Sequence, residues 1–442
     1  MDSLPLFTHQ SPDSVVAYRA GGPVTARQFL SDILHLSASL PGGNHVLNVC
    51  SDRYLFAVGV AAAMLANKIT LLPPAHLPEI VRHLKAFAPD AVCLTDHEPD
   101  IDLPKVRFPR FPAPLLSHWN VPGIPRDRRV ACVFTSGSTG SPMPHNKSWG
   151  HLVRNVRIEA DRLGLMDGRE YVLVASVPPQ HMYGFESSVL VALQSGQAFC
   201  AERPFFPADF VSVIGAVPRA RVLVSTPIHL RALLVSGMVV PTVDLVVSAT
   251  APLEPSLARD IETSLRAPVL EIYGSTETGQ MATRRTTQST EWHLWSGIEL
   301  IARDGRTWAQ GGHIEEPTLL GDLIEIVAAD RFRLVGRIED LVNIAGKRNS
   351  LGNLNHQLLA MTGVVDGVFF LHEDAPNAQM SRTRLGALVV APSLTAADIL
   401  RHLRERMDPV FLPRPLLLVD HIPRNSTGKL PRSALQSLLE RG

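Results

Sequence analysis

The feature that most limits how this chain can fold is a repeated punctuation. Short apolar runs stop at Gly, Ser, Thr or Pro and give way to helical patterns. Strand candidates lie at His45–Cys50, Ala91–Thr95, Val130–Phe134, Tyr171–Ala175, Val222–Ser225, Leu245–Ser248 and Val269–Tyr273, and the run from Leu55 to Ala66 reads as a buried helix. Strands alternating with helices imply βα units and largely parallel sheet. In open sheets of this kind ligands gather where strands end, so the polar turns after these runs are where chemistry is expected.

Two stretches depart from the alternation. Proline-rich sequence from Pro104 to Pro125 reads as an irregular connection. Past Met281, Trp292–Trp295, Ile298–Ile301, Gly321–Ile326 and Phe332–Val335 are spaced as short antiparallel strands. A last segment, from about Asp340 to Gly442, carries strands at Val364–Leu371, Arg384–Val390 and Pro415–Val419 and an amphipathic helix over Ala396–Met407. It is long enough to be a small α+β domain.

Composition excludes several classes. Hydrophobic residues make up 45% and charged residues 19%, so the chain can bury sizeable cores and wholesale disorder is excluded. Lys plus Arg and Asp plus Glu both total 42, which removes the basic excess of a nucleic-acid binder. Cys50, Cys93, Cys132 and Cys200 are widely spaced in apolar surroundings and read as buried thiols in a reducing compartment. The apolar run at Leu55–Ala66 falls short of the ~20 residues that span a bilayer. Met1–Pro5 has neither the basic nor the apolar region of a secretory signal, so the expected location is cytoplasmic.

Four motifs carry chemistry. Thr135-Ser-Gly-Ser-Thr-Gly-Ser-Pro142 follows a strand and offers backbone N–H and hydroxyl donors suited to phosphate oxygens. It has neither the G-x-x-x-x-G-K-[ST] spacing of a Walker A loop nor the G-x-S-x-G of a nucleophile elbow; alone, it also fits a flexible turn. In Glu271-Ile-Tyr-Gly-Ser-Thr-Glu-Thr-Gly279, Tyr273 can stack on a flat base, Thr276 can bond a phosphate, and Glu277 offers a hard oxygen to Mg²⁺. An ordinary strand-to-loop corner would look the same. Asp322 can accept from both hydroxyls of a ribose, with Arg337 and Arg348 as forked donors, although a charged hairpin edge fits these residues equally. Asn425-Ser-Thr-Gly-Lys-Leu430 places a lysine in a small-residue loop near the C-terminus.

Order and spacing together are more specific than any one piece. They resemble the adenylate-forming superfamily of acyl-CoA synthetases, nonribosomal peptide adenylation domains and luciferases. Thr-Ser-Gly-Ser-Thr-Gly-x-Pro-x-Pro-His-x-Lys, Gln180-His-Met-Tyr-Gly184 and Asp340-Leu-Val-Asn-Ile-Ala-Gly-Lys-Arg348 are similar, closer still, to the short ligases of aryl-polyene and xanthomonadin pigment pathways. The resemblance implies an α/β fold. A large N-terminal adenylation domain of layered α/β subdomains, 1–338, would include a reduced β-barrel subdomain. A small mobile α+β domain, 339–442, would follow.

The resemblance also implies roles. A carboxylate attacks the α-phosphate of ATP, giving an acyl-adenylate and pyrophosphate, and a thiol of CoA or of acyl-carrier-protein phosphopantetheine displaces AMP. An anion must approach a polyanion, so positive charge and oriented donors are needed at the α-phosphate. Lys429 matches the catalytic lysine, and Thr135, Ser136, Gly137, Ser138, Thr139 and Gly140 match the loop on the β- and γ-phosphates. Thr276 and Glu277 match the α-phosphate and Mg²⁺ positions, and Tyr273 with Gly274 the adenine platform. Asp322 and Arg337 match the ribose contacts, and Ser248-Ala-Thr-Ala251-Pro252 the adenine-contacting turn. Glu339 falls at the hinge about which the small domain rotates between half-reactions. His181 matches the aromatic gate of the acid pocket, which His181, Tyr183, Gly184, Ser225, Thr226, Ser248, Tyr273, Gly274, Thr278 and Gly279 would line.

Two departures stand out. Met143 occupies a position where many relatives carry lysine, with Lys147 four residues on as a possible replacement cation. The stretch between Glu277 and Glu339 and the region before Thr135 are also short. Small-residue turns beside aromatic and histidine side chains suit a flat ring with one polar handle, and the pigment-pathway resemblance implies 4-hydroxybenzoate or 3-hydroxybenzoate. A fatty or short-chain acyl ligase is the alternative within the class, and an inactive nucleotide-binding homologue the alternative outside it.

Overall fold

The computed structural model describes residues 2–109, 111, 119–136, 142–337, 341–344, 347–373, 383–424, 430 and 432–439. The chain divides into two compact units, one of Met1–Glu299 with Ala309–Thr318, the other of Leu300–Trp308 with Leu319–Gly442.

The first unit begins with β1 (Val15–Arg19), β2 (Gly22–Thr25) and α1 (Ala26–Ser39). There follow β3 (His45–Asn48), α2 (Arg53–Leu65), β4 (Ile69–Leu72), α3 (Pro78–Phe87), β5 (Val92–Thr95), β6 (Lys105–Arg107), β7 (Arg129–Ser136) and β8 (Pro142–Ser148). β3 to β8 form one sheet in the order β8-β7-β4-β3-β5-β6, parallel except for the antiparallel β7–β8 hairpin. The proline-rich stretch is therefore not wholly irregular. β6 pairs with β5 within it, and Gly123–Pro125 pairs with Ser3–Pro5. β8 has no apolar alternation to announce it, since Met143 and Pro144 are exposed. As an edge strand it accommodates Pro142 and Pro144, whose missing N–H groups need not break a ladder.

A second sheet is built from α4 (Trp149–Arg162), β9 (Val172–Ala175), β10 (Ala198–Cys200), α5 (Pro207–Ala216), β11 (Arg221–Ser225), α6 (Pro227–Val235), β12 (Leu245–Ser248), α7 (Pro255–Leu265), β13 (Val269–Ser275), β14 (Gly279–Arg284) and β15 (Glu291–Leu294). Within this unit the order is β15-β14-β13-β12-β11-β9-β10-β1-β2, with a parallel centre and antiparallel margins. Val172, Val174, Leu223, Val246 and Val269 present one face of it to Phe210, Ile214, Leu230, Leu257 and Ile261 of α5, α6 and α7. All four cysteines are free and buried.

Two local devices set the geometry where these strands end. Gly274 lets β13 and β14 close over one another, because a Cβ there would lie 2.3 Å from the Gly279 carbonyl oxygen. Arg53, at the first turn of α2, is wholly buried and donates to the carbonyls of Ala175 (2.8 Å) and Val177 (3.0 Å) and to the Ser188 hydroxyl. It joins the first sheet's helix to the exit of β9. Burial lowers its pKa to about 10, so it remains charged at neutral pH.

The second unit contains the hairpin of β16 (Asp322–Ala328) and β17 (Arg331–Arg337), the hairpin of β18 (Leu341–Ile344) and β19 (Lys347–Ser350), and α8 (Leu351–Leu359). A three-stranded sheet, β20 (Asp366–Glu373), β21 (Thr383–Val390) and β22 (Leu416–Leu418), completes it with α9 (Ala396–Arg406) and α10 (Arg432–Leu439). Leu354, Leu358, Phe369, Val389, Ile399 and Leu403 form its core. Thr395 and Asp398 close a reciprocal capping box at the start of α9. Arg424 grips both carboxylate oxygens of Asp366 at 2.9 and 2.7 Å, anchoring the chain just before residue 425. No helix of the described residues is long and apolar enough to cross a membrane.

Arg53→Leu strips two buried carbonyls of their donor, which costs about 3 kcal/mol. The expected outcome is a lower midpoint for the first urea transition, with the second unit's transition unmoved.

Candidate active site

The β7–β8 hairpin and the turn between β13 and β14 meet at one cluster. His145 and Lys147 alternate along β8 and therefore share a face. His145 Nε2 lies 2.9 Å from the Thr135 hydroxyl and 3.6 Å from Oε1 of Glu277. Lys147 donates from Nζ to the Glu277 carbonyl at 3.2 Å. Two side chains of one strand thus approach Glu277: Lys147 bonds its backbone carbonyl, and the His145 ring stands beside its carboxylate. The turn is also braced internally, because Ser275 and Thr278 exchange backbone-to-hydroxyl hydrogen bonds at 3.3 Å in each direction.

Lys147 is only 3% exposed. Burial lowers its pKa from the usual lysine value, while Glu186, Glu277 and Glu315 pull the other way. His145 is likewise lowered, first by burial and then by Lys147, against the attraction of Glu277. Glu315 is fixed by the Ser148 hydroxyl, which also caps α4 by accepting from the His151 N–H at 3.0 Å.

Behind the turn lies a layer of buried polar groups. His151, Asn155 and Glu159 stand at i, i+4 and i+8 on α4 and so occupy one face. His151 Nδ1 lies 2.8 Å from the His313 carbonyl, His313 Nε2 lies 3.0 Å from the Thr278 carbonyl, and Asn155 donates to Glu186. Gln280 donates to the Ser187 hydroxyl at 2.6 Å. Glu186 and Ser187 sit in a single π-helical turn, Phe185–Leu190, a distortion frequent at functional sites. Gly279 has a positive φ of +73°, and a Cβ on it would come within 2.8 Å of the Asn155 amide nitrogen. Only glycine fits there. Burial pushes the carboxyls of Glu159 and Glu186 up to about 8 and the imidazoles of His151 and His313 down to about 2 and about 4. At neutral pH both histidines are neutral, and both glutamates favour the protonated form.

A third group of side chains closes the ends of β11 and β12. The Tyr183 hydroxyl lies 3.1 Å from the carbonyls of both Ser225 and Val247. Ser225 is paired in register with Ser248, and its hydroxyl lies 2.9 Å from that of Ser176. The buried Ser248 hydroxyl has no hydrogen-bond partner among the described residues. A Cβ on Gly184 would lie 2.0 Å from the Pro178 carbonyl oxygen, so the chain before Tyr183 requires that glycine. Beyond β12, Ala251 and Pro252 are exposed, and Thr250 holds the left-handed conformation at φ +78°. For a β-branched residue this is strained, a feature that clusters at ligand-binding sites.

The residues marked from sequence distribute as follows. Thr135 and Glu277 come together through His145, and Thr276 shares the turn of Glu277. Tyr183, Ser225 and Ser248 meet at the ends of β11 and β12, where Thr226 lies 3.0 Å from the His229 ring. Thr278 and Gly279 lie against His151, Asn155 and His313. His181 immediately precedes Met182–Gly184 and is partly exposed. The Tyr273 ring packs at 5.6 Å on Trp292, itself covered by the Arg284 guanidinium at 4.4 Å. In the second unit, Asp322 and Arg337 are direct cross-strand partners in the β16–β17 hairpin, and Arg348 pairs with Asn343 in β18–β19. Ser136 closes β7. Gly137, Ser138, Thr139, Gly140, Glu339 and Lys429 lie outside the described residues.

The sequence reading did not single out His145, Asn155, Glu159, Glu186 or His313 as site residues. One signal was available: three polar residues at helical spacing on the inward face of α4, beside Leu152, Val153 and Val156.

The family model for AMP-binding enzymes matches residues 34–301 of the chain. The 4-coumarate–CoA ligase of Halorhodospira halophila is 29% identical over 307 residues, 67% of this chain and 73% of that protein. A 4-chlorobenzoate–CoA ligase from an Arthrobacter species is 24% identical over 359 residues, 71% of this chain and 67% of that protein. Among solved structures, o-succinylbenzoate CoA synthetase of Bacillus subtilis, in complex with its acyl-adenylate intermediate, has the same fold. Its TM-score is 0.81 at 17% identity, covering 99% of both chains.

The raised Glu159 pKa has a sign. Folding favours the protonated acid, so the group opposes stability above its ordinary value of 4.5, increasingly up to about 8, and has no such effect below 4.5. Glu159→Gln should therefore melt higher than the wild type at pH 8, with the advantage shrinking toward pH 5, measured by differential scanning calorimetry.

Proposed function

The chain belongs to the AMP-binding enzyme family and is an AMP-forming acid–thiol ligase, and from that premise we propose that it activates a hydroxybenzoate as its acyl-adenylate and passes the acyl group to a thiol. The observation that carries the adenylation reading is the convergence of Thr135 and Glu277 on His145, although 142 positions separate them in the chain. A loop of hydroxyl and backbone donors and a turn bearing a hard carboxylate are what a metal–triphosphate needs on its two sides. Glu277 fits Mg²⁺, which usually takes one or two protein carboxylates and fills its remaining positions with phosphate oxygens and water. When bound, Mg²⁺ neutralises charge on the phosphates.

The residues then divide the work. Thr135 and the loop after it hold the β- and γ-phosphates, and Thr276 donates to the α-phosphate. Tyr273, backed by Trp292, supplies a flat face for adenine beside the strained Thr250–Pro252 turn. Asp322 and Arg337, opposite one another on their hairpin, present an acceptor and a donor to the ribose. Lys429 neutralises the approach of the carboxylate oxygen to the α-phosphorus, where an O–P bond forms and pyrophosphate leaves. In the second half-reaction a thiolate sulfur of CoA or of a carrier-protein phosphopantetheine attacks the acyl carbon and AMP departs. Rotation of the 339–442 domain about Glu339 separates the two steps.

Support for an aryl acid comes from the site and from the relatives. His181, Tyr183, Gly184, Ser225, Ser248, Gly274, Thr278 and Gly279 combine small residues with two rings. The unpartnered Ser248 hydroxyl provides a polar contact for a ring substituent. The relatives named above act on coumarate and chlorobenzoate, both aryl acids. The pigment-pathway motifs favour 4-hydroxybenzoate or 3-hydroxybenzoate.

Pyrophosphate release over a panel of benzoates, cinnamates and aliphatic acids tests this directly. Hydroxybenzoates should give the highest kcat/KM, and activity confined to long aliphatic acids would overturn the assignment. Lys429→Ala should lower adenylation at least about 100-fold through loss of transition-state charge stabilisation, while calorimetric ATP affinity changes little.

A further inference from the structure

The sequence motif Pro144-His-Asn-Lys147 has no part in the scheme above beyond a possible cation at Lys147, yet its two functional side chains converge on Glu277. Lys147 is directed into the protein: its ammonium is buried and bonded to the Glu277 carbonyl. His145 reaches the carboxylate of the same residue and, through the same nitrogen, the Thr135 hydroxyl. We propose that His145 and Lys147 are positioning residues that hold Glu277 in register with Thr135 at the end of β7, so that hydroxyl and carboxylate present one preformed site to a metal–nucleotide. The proposal deepens the adenylation reading and rests on Glu277 serving the metal.

Three further observations carry it. First, the arrangement is anchored from behind. Ser148, next to Lys147 in the chain, donates to Glu315, and Asn155 of α4 donates to Glu186, so the surroundings of the buried ammonium are tied down by hydrogen bonds. Second, the end of the turn it supports is packed behind, because a Cβ on Gly279 would meet Asn155, His151 and His313 within 3.3 Å. Third, Met143 on the same strand is apolar and 55% exposed, so the basic side chains that β8 contributes here are His145 and Lys147, and both are directed at the turn. A carboxylate on an exposed turn samples many rotamers, and a metal must gather it from all of them. Fixing the backbone at the carbonyl and offering the carboxylate a nearby imidazole narrows that search. Partners that orient a metal-binding group in this way are worth about 10- to 100-fold in metal affinity.

The test uses the full chain and titration calorimetry with ATP, once in EDTA and once across a Mg²⁺ series. In the wild type, Mg²⁺ should tighten ATP binding. Lys147→Met should shift the Mg²⁺ concentration needed for half of that gain upward by about tenfold and His145→Gln by a few-fold, while ATP affinity in EDTA stays at the wild-type value. Lys147→Arg, which keeps the charge, should recover part of the shift. His145 is only partly buried, so His145→Gln decides the matter should Lys147→Met fail to fold. Two results overturn the proposal: folded variants with an unchanged Mg²⁺ dependence, or variants that lose ATP affinity equally in EDTA, as direct phosphate ligands would. Failure of the underlying adenylation reading appears separately, as a wild-type chain that binds no nucleotide under either condition, and that result overturns both.

Discussion

An ammonium group can be buried only where acceptors surround it, and the placement of Lys147 is the constraint around which the site of the first unit is organised. Its carbonyl partner belongs to Glu277, and the carboxylates of Glu277 and Glu315 provide the compensating field, with Glu186 close by as a buried acceptor. Each of those groups comes from a different element. β8 is the edge of the first sheet, Glu277 lies in the turn at the end of β13, Glu186 stands in the π-helical turn, and Glu315 in the segment that returns to this unit. Removing the Glu277 turn would leave the Lys147 ammonium buried without its carbonyl acceptor. The two sheets are therefore registered at their functional ends by electrostatics rather than by shape alone.

Arg53 performs a related task a short distance along the chain from β3. It satisfies the carbonyls that β9 leaves exposed as it exits toward Pro178 and Pro179, and it touches the π-helical turn at Ser188. The segment carrying His181, Tyr183 and Glu186 is thus held from one side by a guanidinium and from the other by Asn155. Such buried polar contacts add little net stability compared with an apolar core, but they permit few alternative packings. The proposed site, which needs a hydroxyl-rich turn, a carboxylate and an acid pocket in fixed relation, benefits from that restriction. The glycines at 184, 274 and 279 belong to the same logic, since each allows backbone to approach where a side chain would collide.

The second unit is self-contained in a different way. Its core is an ordinary helix-on-sheet packing of Leu, Val, Phe and Ile. Asp322 and Arg337 are cross-strand partners in the register of the β16–β17 hairpin. The Asp366–Arg424 pair fixes the chain on the approach to residues 425–429. A domain with its own core can move as a body without unfolding, which is what the proposed two-step reaction demands of the segment bearing Lys429.

Much of this architecture was legible in the chain before any coordinates. Leu245–Ser248 coincides with its strand to the residue, and Val222–Ser225, Val269–Tyr273 and Arg384–Val390 differ from theirs only at the ends. Runs of β-branched residues ended by turn residues have few other ways to satisfy both burial and backbone hydrogen bonding. The four buried thiols and the polar turn after β13 were legible for the same local reasons. β8 was not, because an edge strand with two prolines and an exposed methionine carries no periodic signal. Nor was the hydrogen-bond partner of Lys147, which read locally as a cation near a phosphate loop. Its partner lies 130 residues away, and their meeting depends on how two sheets pack. Composition and spacing determine which segments become strands and where polar turns fall, since those are contests between neighbours along the chain. Which polar groups face one another across the interior is decided only when the sheets close, because desolvation and charge pairing act through space.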